Sequence, residues 1–303
     1  MGEDGTDASS APGLPPAVRS AILAAVSLPW KFSVLRALRS RVNSPLYDRA
    51  VIAGRLPRVA GRTDPTSRAL ARALRSVALG RLRPEEREWV ARIEARRGEL
   101  AADPSAVRPD FEARPGMVPA DFLSSDDRPP IGGIAVLLSI PQWWGEVLLR
   151  LVRELAPRRC LELGTALGIS TAYQAAALKL NGTGSLTTLE GARAWASVAE
   201  KGLSNLGLSD RTTVEVGAID ETLAETLMRI GPIDYAYLDA DHSEGATLRH
   251  FDLILPHIAP GGVAVLDDIG FSWDMWRAWN EVRRRGRVST TLALGRMGLV
   301  TVD

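Results

Sequence analysis

The feature that most constrains the fold of this chain is a regular alternation of short apolar runs with helical segments after Ile131. A helix predicted from about Gln142 to Leu155 leads into CLELG, and helices then alternate with the runs TGSLTTLE, TTVEVGA, IDYAYLDAD and GGVAVLDD. Strands that alternate with helices form a parallel sheet with helices on both faces. The final runs, VSTTLAL and MGLVTVD, flank a Gly-Arg pair and predict two strands joined by a tight turn. We therefore expect an α/β domain over residues 131–303 that ends in an antiparallel hairpin.

The first 130 residues predict a different organisation. Residues 1–17 are rich in Gly, Ser and Pro, which predicts a flexible tail. Residues 18–130 predict a helical region followed by a linker that begins near Pro104. Asp64 before a proline, with Gly80 at the end, marks one helix, and a second is bracketed by a proline and Gly98 within RPEEREWVARIEARRG.

Composition limits the class of partner and the compartment. A net charge of +1 gives no reason to expect a nucleic-acid partner, and the single Cys160 excludes an internal disulfide, so we expect a cytoplasmic protein. The apolar run Ala21–Trp30 is too short to span a membrane, and no transmembrane segment is expected. The arginine-rich helical region is interpreted as solvated helix faces that cap the pocket or form a homodimer contact. An anionic partner is the alternative.

A glycine-bearing turn follows the first strand of the predicted sheet. The segment LELGTALGIS places Gly164 and Gly168 there, where glycine tolerates unusual backbone angles and lets a ligand approach the main chain. The spacing is ExGxxxG and not GxGxxG, so it favours a cationic or zwitterionic ligand near Glu162 over a pyrophosphate. A turn without any ligand is the alternative.

The next two strands end in residues that suit a nucleoside. Glu190 ends the second strand, where a carboxylate can accept hydrogen bonds from both ribose hydroxyls. Gly217 and Ala218 end the third strand and are small enough for an adenine ring to pack on them. The alternatives are a surface glutamate and ordinary turn residues.

Carboxylates gather at the ends of the fourth and fifth strands. Asp239 follows one of these strands, and Asp267 and Asp268 follow the other. If the strands are neighbours, mutual repulsion and burial raise the carboxyl pKa values unless a cation or hydrogen-bond donors neutralise the charge. A divalent ion is the natural occupant, and oxygen ligands favour Mg²⁺ or a similar ion. Both Asp267 and Asp268 can bind one ion only if the strand ends and turns there, since successive strand residues point to opposite faces. A metal-free arrangement is the alternative.

His242 lies three residues after Asp239, and it can accept a proton near neutral pH from a hydroxyl beside the metal. Its alternative role is that of a polar loop residue. Three tryptophans, Trp273, Trp276 and Trp279, recur at helical spacing after the fifth strand, and we interpret them as core residues, with a substrate wall as the alternative.

The run from LELG through LTTLEG, VEVGA, IDYAYLDADH and IAPGGVAVLDDI resembles the class I S-adenosylmethionine-dependent methyltransferases. It is most similar to the catechol and caffeoyl-coenzyme A O-methyltransferases and to the macrocin-type enzymes that methylate sugar hydroxyls. The resemblance covers about residues 142–303 and implies a Rossmann-like seven-stranded sheet. It implies that S-adenosylmethionine is held by the loop and the acidic residue after the second strand, and the expected cofactor-binding residues are Glu162, Gly164, Thr165, Gly168, Ser170, Glu190, Gly217, Ala218 and Asp239.

The resemblance also implies a chemistry for the acidic residues. Metal-dependent members have an aspartate at the position of Asp239 and an acidic pair, or an acid and an amide, at Asp267 and Asp268. Catechol-type members carry a catalytic lysine where this chain has His242, and macrocin-type members carry histidine. We expect a cation-dependent O-methyltransferase that acts on a small catechol, diol or sugar, with His242 as the general base. The alternatives are a metal-free small-molecule methyltransferase and a non-catalytic binding protein, whereas the sequence DADH disfavours a nucleic-acid methyltransferase.

Overall fold

The computed structural model describes residues 45–105 and 131–303. The predicted tail at residues 1–17, residues 18–44 of the helical region and residues 106–130 of the linker lie outside the described residues. The helices are α1 (Pro45–Arg55), α2 (Pro57–Ala60), α3 (Pro65–Ala78), α4 (Pro84–Ala101), α5 (Ile131–Leu137), α6 (Gln142–Leu155), α7 (Ile169–Asn181), α8 (Arg193–Leu206), α9 (Ile219–Ile230), α10 (Glu244–Ile254) and α11 (Trp273–Val282). The strands are β1 (Arg159–Leu163), β2 (Ser185–Glu190), β3 (Thr212–Val216), β4 (Ile233–Leu238), β5 (Ile258–Leu266), β6 (Val288–Ala293) and β7 (Gly298–Val302).

The strands form one seven-stranded sheet in the order β3-β2-β1-β4-β5-β7-β6. Strands β1 to β5 are parallel, whereas β7 is antiparallel to both β5 and β6. The turn between β6 and β7 is closed by a hydrogen bond of 2.8 Å from Leu294 N to Met297 O. These observations confirm the predicted parallel sheet and its terminal antiparallel hairpin.

Side chains alternate between the two faces of the sheet, because successive residues of a strand point in opposite directions. Cys160, Tyr235 and Tyr237 belong to a core shared with buried residues of α6 and α7. Leu161 and Leu238 belong to a second core, shared with buried residues of α9, α10 and α11. The helices therefore cover both faces, as the sequence pattern predicts.

The described N-terminal helices pack on the first of these cores. Helix α3 contacts α6, and α4 contacts α7. The hydroxyl of Thr66 donates a hydrogen bond of 2.6 Å to the carbonyl of Gly261, which ties the start of α3 to β5. The predicted division of the chain near residue 130 stays a prediction.

Local sequence signals predict the first residues of these helices more accurately than the last residues. The Asp64 carboxylate caps α3 by accepting a hydrogen bond of 2.8 Å from Ser67 N, as predicted. The prediction that Gly98 ends the next helix is wrong, because α4 continues to Ala101. Its last turn buries Leu100, and that contact outweighs the weak helix propensity of one glycine.

The prediction that Trp273, Trp276 and Trp279 are core residues is confirmed for one of the three. Trp279 is buried, whereas Trp273 is 74% exposed and Trp276 is 51% exposed. A ten-residue helix on the surface of the sheet buries only one of its faces. The prediction is therefore wrong for Trp273 and Trp276.

Among the described residues, no single helix combines the length and apolarity needed to cross a membrane. Helices α5 and α6 together reach that length and composition but are bent by 68° relative to each other.

Candidate active site

The strand register places the predicted site residues in one row at the carboxyl edge of the sheet. Leu163 pairs with Leu189 on one side and with Leu238 on the other, and Leu238 pairs with Leu266. The residues that follow the four paired leucines therefore lie level with one another, and they are Gly164, Glu190, Asp239 and Asp267. The strand order reverses between β1 and β4, and ligands of open α/β sheets bind outside the strand ends at such a point.

The glycine loop after β1 needs glycine for steric reasons. Gly164 has φ +92°, and a Cβ on it would lie 2.4 Å from the backbone oxygen of Asp239. Gly168 has φ +82°, and a Cβ on it would lie 3.0 Å from the Cβ of Ala199. Both glycines therefore adopt backbone angles that other residues rarely adopt, and the first also brings β1 against the end of β4.

Glu162 faces the first turns of α7. It is fully buried, and its carboxylate accepts hydrogen bonds of 2.6–2.8 Å from Ser170 Oγ, Thr171 Oγ1 and Gln174 Nε2. Burial raises the pKa of Glu162 to about 7, although these hydroxyl donors oppose the rise. Of the other predicted loop residues, Thr165 is buried and shares a hydrogen bond of 2.6 Å with Thr188.

Glu190 connects the glycine loop to the start of α8. Its carboxylate accepts hydrogen bonds from Ala166 N at 2.7 Å and from Ala192 N at 2.9 Å. Burial raises the pKa of Glu190 to about 7, while the backbone donors act in the opposite direction. The backbone oxygen of Glu190 also accepts a hydrogen bond from Gly217 N, so the end of β3 lies beside it, with Ala218 exposed next to it.

Three of the predicted residues meet beyond β4 and β5. One ligand atom each from Asp239, His242 and Asp268 lies within 4.8 Å of the other two. Strand β5 ends at Leu266, and the chain turns at Asp268, which has φ +53°. The turn brings the carboxylate of Asp268 close to that of Asp239. The strand therefore ends and turns at the acidic pair, as is needed for Asp268 to share a site with Asp239.

His242 lies between the two carboxylates. Its Nε2 is 3.4 Å from Oδ1 of Asp239 and 3.2 Å from Oδ2 of Asp268, yet neither contact has hydrogen-bond geometry. Burial alone would lower the pKa of His242, but Asp239 and Asp268 outweigh that effect and raise the pKa to about 9. The two carboxylates thus favour a positive charge at this point, which an imidazolium or a metal cation can supply in addition to Arg296, whose Nε is 3.3 Å from Oδ1 of Asp268.

The carboxylate of Asp267 lies beside this cluster and is held by Arg296 and Tyr237, which also contact Asp268 and Asp239, respectively. Arg296 pairs with it through two contacts, Nε–Oδ1 at 2.6 Å and Nη2–Oδ2 at 2.7 Å. Tyr237 Oη donates to the same carboxylate at 2.8 Å. Burial raises the pKa of Asp267, and the charge of Arg296 counteracts that rise.

Sequence reasoning missed both Arg296 and Tyr237. The unbalanced charge of the three aspartates was the one available signal for a cation, and it does not say which arginine supplies it.

A small cavity adjoins this cluster. Phe271 meets the ring of the lining residue His242 edge-on, with 5.6 Å between ring centroids. The deep wall carries a second histidine, His250, whose Nε2 is 2.8 Å from Oδ1 of Asp220. The lining residues are Leu238, Asp239, Ala240, His242, Thr247, His250, Asp267 and Met275.

Comparison with known proteins is consistent with this site. A family model described as a methyltransferase domain matches residues 161–269. A catechol O-methyltransferase of Niastella koreensis is 31% identical over 133 residues, which are 44% of this chain and 58% of the relative. A catechol O-methyltransferase of Mycobacterium tuberculosis is 32% identical over 150 residues, which are 50% of this chain and 64% of the relative. The chain thus spans about three fifths of the length of these relatives.

The same fold occurs in a solved structure. The methyltransferase PaMTH1 of Podospora anserina, determined with S-adenosylhomocysteine bound, has a TM-score of 0.50 and 15% identity, with 74% of this chain and 99% of that chain covered. The sheet order, the glycine loop and the acidic row define a class I methyltransferase domain. Residues 161–269 match a methyltransferase-domain model, and about half of the chain is similar to catechol O-methyltransferases.

Proposed function

We propose that the chain transfers a methyl group from S-adenosylmethionine to a hydroxyl of a small catechol, diol or sugar, and that it needs a divalent cation. The observation that carries this proposal is the position of His242 Nε2 between Asp239 and Asp268, beside the cavity and next to the glycine loop. Without a cation the raised pKa keeps this imidazole protonated near neutral pH. A divalent cation on the two carboxylates would lower that pKa, so that the imidazole can take a proton from an acceptor hydroxyl.

The cofactor would lie over the carboxyl edge of β1, β2 and β4. Gly164 and Gly168 would shape the loop around the cofactor through their positive φ angles, and Glu190 would be the carboxylate for the ribose hydroxyls. Bound there, S-adenosylmethionine supplies an electrophilic methyl group on a sulfonium sulfur. Glu162 would support it by holding the first turn of α7, since its hydrogen bonds go to that helix. Thr165, Ser170, Gly217, Ala218 and Asp239 complete the proposed cofactor site.

The residues present fit a divalent cation. Asp239 and Asp268 each offer a carboxylate oxygen, and these ligand atoms lie within 4.8 Å of each other. Hard oxygen ligands suit Mg²⁺. A cation held there would lower the pKa of the acceptor hydroxyl and orient it. Asp267 as a further ligand stays a prediction.

His242 would act as the general base. Its Nε2 would take the proton of the acceptor hydroxyl during methyl transfer. The cavity lining and the nearby ring of Phe271 support a small acceptor. A homodimer, a cytoplasmic location and the absence of a nucleic-acid substrate remain predictions.

The proposal is tested by screening pooled catechols, diols and sugars with isotopically labelled S-adenosylmethionine, with Mg²⁺ or with EDTA. We expect label transfer with Mg²⁺ and its loss with EDTA. Transfer that persists in EDTA, in protein free of metal, would favour a metal-free methyltransferase. If calorimetry finds no binding of S-adenosylmethionine, the enzymatic function is wrong.

The role of His242 is tested by His242→Gln, with His257→Gln as the matched control outside the cavity. Loss of a general base lowers turnover by about 10² to 10⁴. We expect that loss in His242→Gln with little change in cofactor affinity, and we expect wild-type turnover in the control. Equal turnover in the two variants would contradict the assignment.

A further inference from the structure

Arg296 and Asp267 form the most completely bonded charged pair of the site. The carboxylate of Asp267 is fully buried, and each of its oxygens accepts two hydrogen bonds. Oδ1 accepts from Arg296 Nε at 2.6 Å and from Asp268 N at 2.8 Å. Oδ2 accepts from Arg296 Nη2 at 2.7 Å and from Tyr237 Oη at 2.8 Å. A carboxylate offers about four lone-pair positions, so none remains on Asp267 for a metal ion.

The β6–β7 turn fixes the guanidinium in place. The backbone oxygen of Arg296 accepts a hydrogen bond of 3.0 Å from Ile269 N, just after the acidic pair. On the other side, Arg55 Nε donates to Ala293 O at 3.0 Å, and the aromatic ring of Trp144 lies against Gly295. Because both sides of the turn are anchored, Arg296 cannot leave Asp267 without exposing an unpaired buried charge.

We propose that Arg296 is a positioning residue that holds Asp267 in a structural role. Asp239 and Asp268 are then the carboxylates that bind the divalent cation. The inference rests on the proposed function, because it concerns the cation of the same site. Arg296 makes its short contacts with Asp267, and its contacts with Asp268 are longer, Nε–Oδ1 at 3.3 Å and Nη2–Oδ2 at 3.4 Å. A divalent ion would supply the further positive charge between Asp239 and Asp268.

The test measures Mn²⁺ binding to the full chain by calorimetry and by the loss of the free Mn²⁺ signal in electron paramagnetic resonance. Asp239→Asn and Asp268→Asn remove ligands. The double variant Asp267→Leu with Arg296→Met replaces the buried pair by apolar side chains, a change that folded proteins often tolerate. If the double variant does not fold, as judged by circular dichroism, Asp267→Asn with Arg296→Gln takes its place.

We expect each of the two ligand variants to weaken Mn²⁺ binding by about 100-fold. The pair replacement should weaken it by less than about 10-fold, because residues that only hydrogen-bond to metal ligands change metal affinity by about 10-fold to 100-fold. Arg296→Met alone frees the carboxylate of Asp267, so it should bind Mn²⁺ more tightly than the double variant. A loss of about 100-fold on pair replacement, with binding intact in the wild type, overturns the role of Arg296 and leaves the proposed function standing. Wild-type protein that binds S-adenosylmethionine but no Mn²⁺ overturns cation dependence, and the role of Arg296 falls with it.

Discussion

At the scale of single residues, Gly164 shows how one missing side chain shapes the site. Its φ of +92° and the 2.4 Å approach of a Cβ to the Asp239 backbone oxygen leave no room for any other residue. The glycine therefore sets the distance between the cofactor loop and the acidic row, and both halves of the proposed reaction depend on that distance.

Gly164→Ala tests this dependence against Gly182→Ala. Gly182 also has positive φ, +71°, but a Cβ there meets nothing within 4 Å. The control should lose about 1–2 kcal/mol of stability from backbone strain alone. Gly164→Ala should lose more than the control and also lose cofactor affinity, measured by denaturant unfolding and calorimetry. Equal losses in the two variants would show that the close approach is unimportant.

Glu162 predicts a pH dependence of stability. Its pKa of about 7 in the folded chain exceeds the ordinary value of 4.5, so the folded state keeps a proton that the unfolded chain releases. The stability from this group is complete below pH 4.5 and is lost as the pH rises through 7, by roughly 3 kcal/mol in all.

Glu162→Gln should remove that part of the slope, whereas Glu88→Gln, at an exposed position of α4, should keep it. The measurement is urea unfolding between pH 4.5 and 8. A slope that is unchanged in Glu162→Gln would mean that Glu162 titrates normally in the folded protein.

At the scale of elements, helix ends depend on local capping, and tertiary contacts then extend or stop the helix. The Asp64 carboxylate caps α3 through Ser67 N, and this contact was predictable from the sequence. The end of α4 was not, because Leu100 becomes buried only when the helix packs on its neighbours.

Asp64→Ala should lower stability by about 1 kcal/mol through loss of the cap. Label transfer should stay at the wild-type rate, because the cap lies outside the candidate site. The exposed Glu88→Ala should change stability by less than about 0.5 kcal/mol. Denaturant unfolding checks both variants, and an equal effect in the two would contradict the capping role.

At the scale of the whole molecule, the N-terminal helices and the sheet share one apolar core. Helix α3 presents a buried face that packs against α6, formed by Ala69, Leu70, Ala73, Leu74 and Val77. Each large side chain of such a face stabilises the fold by about 1.5–3 kcal/mol when buried.

A chain limited to residues 131–303 should therefore lose its cooperative thermal transition and bind hydrophobic dyes. Full-length Leu79→Ser alters a leucine that is 56% exposed, and it should melt within about 4 °C of the wild type. Calorimetry provides the comparison. A shortened chain that melts as sharply as the full one would show that the sheet folds without these helices.

The amino-acid sequence alone determined the alternating strands and helices and the residues that stand at the strand ends, since periodicity and turn chemistry act over a few neighbouring positions. Gly164, Glu190, Asp239 and Asp267 were recognisable in this way. The tertiary structure decided which of these side chains form ion pairs or hydrogen bonds within the protein. Arg296 reaches Asp267 from a turn 29 positions further along the chain. That meeting depends on the pairing of β5 with β7, which no local pattern specifies, so only the folded chain shows which carboxylates face His242.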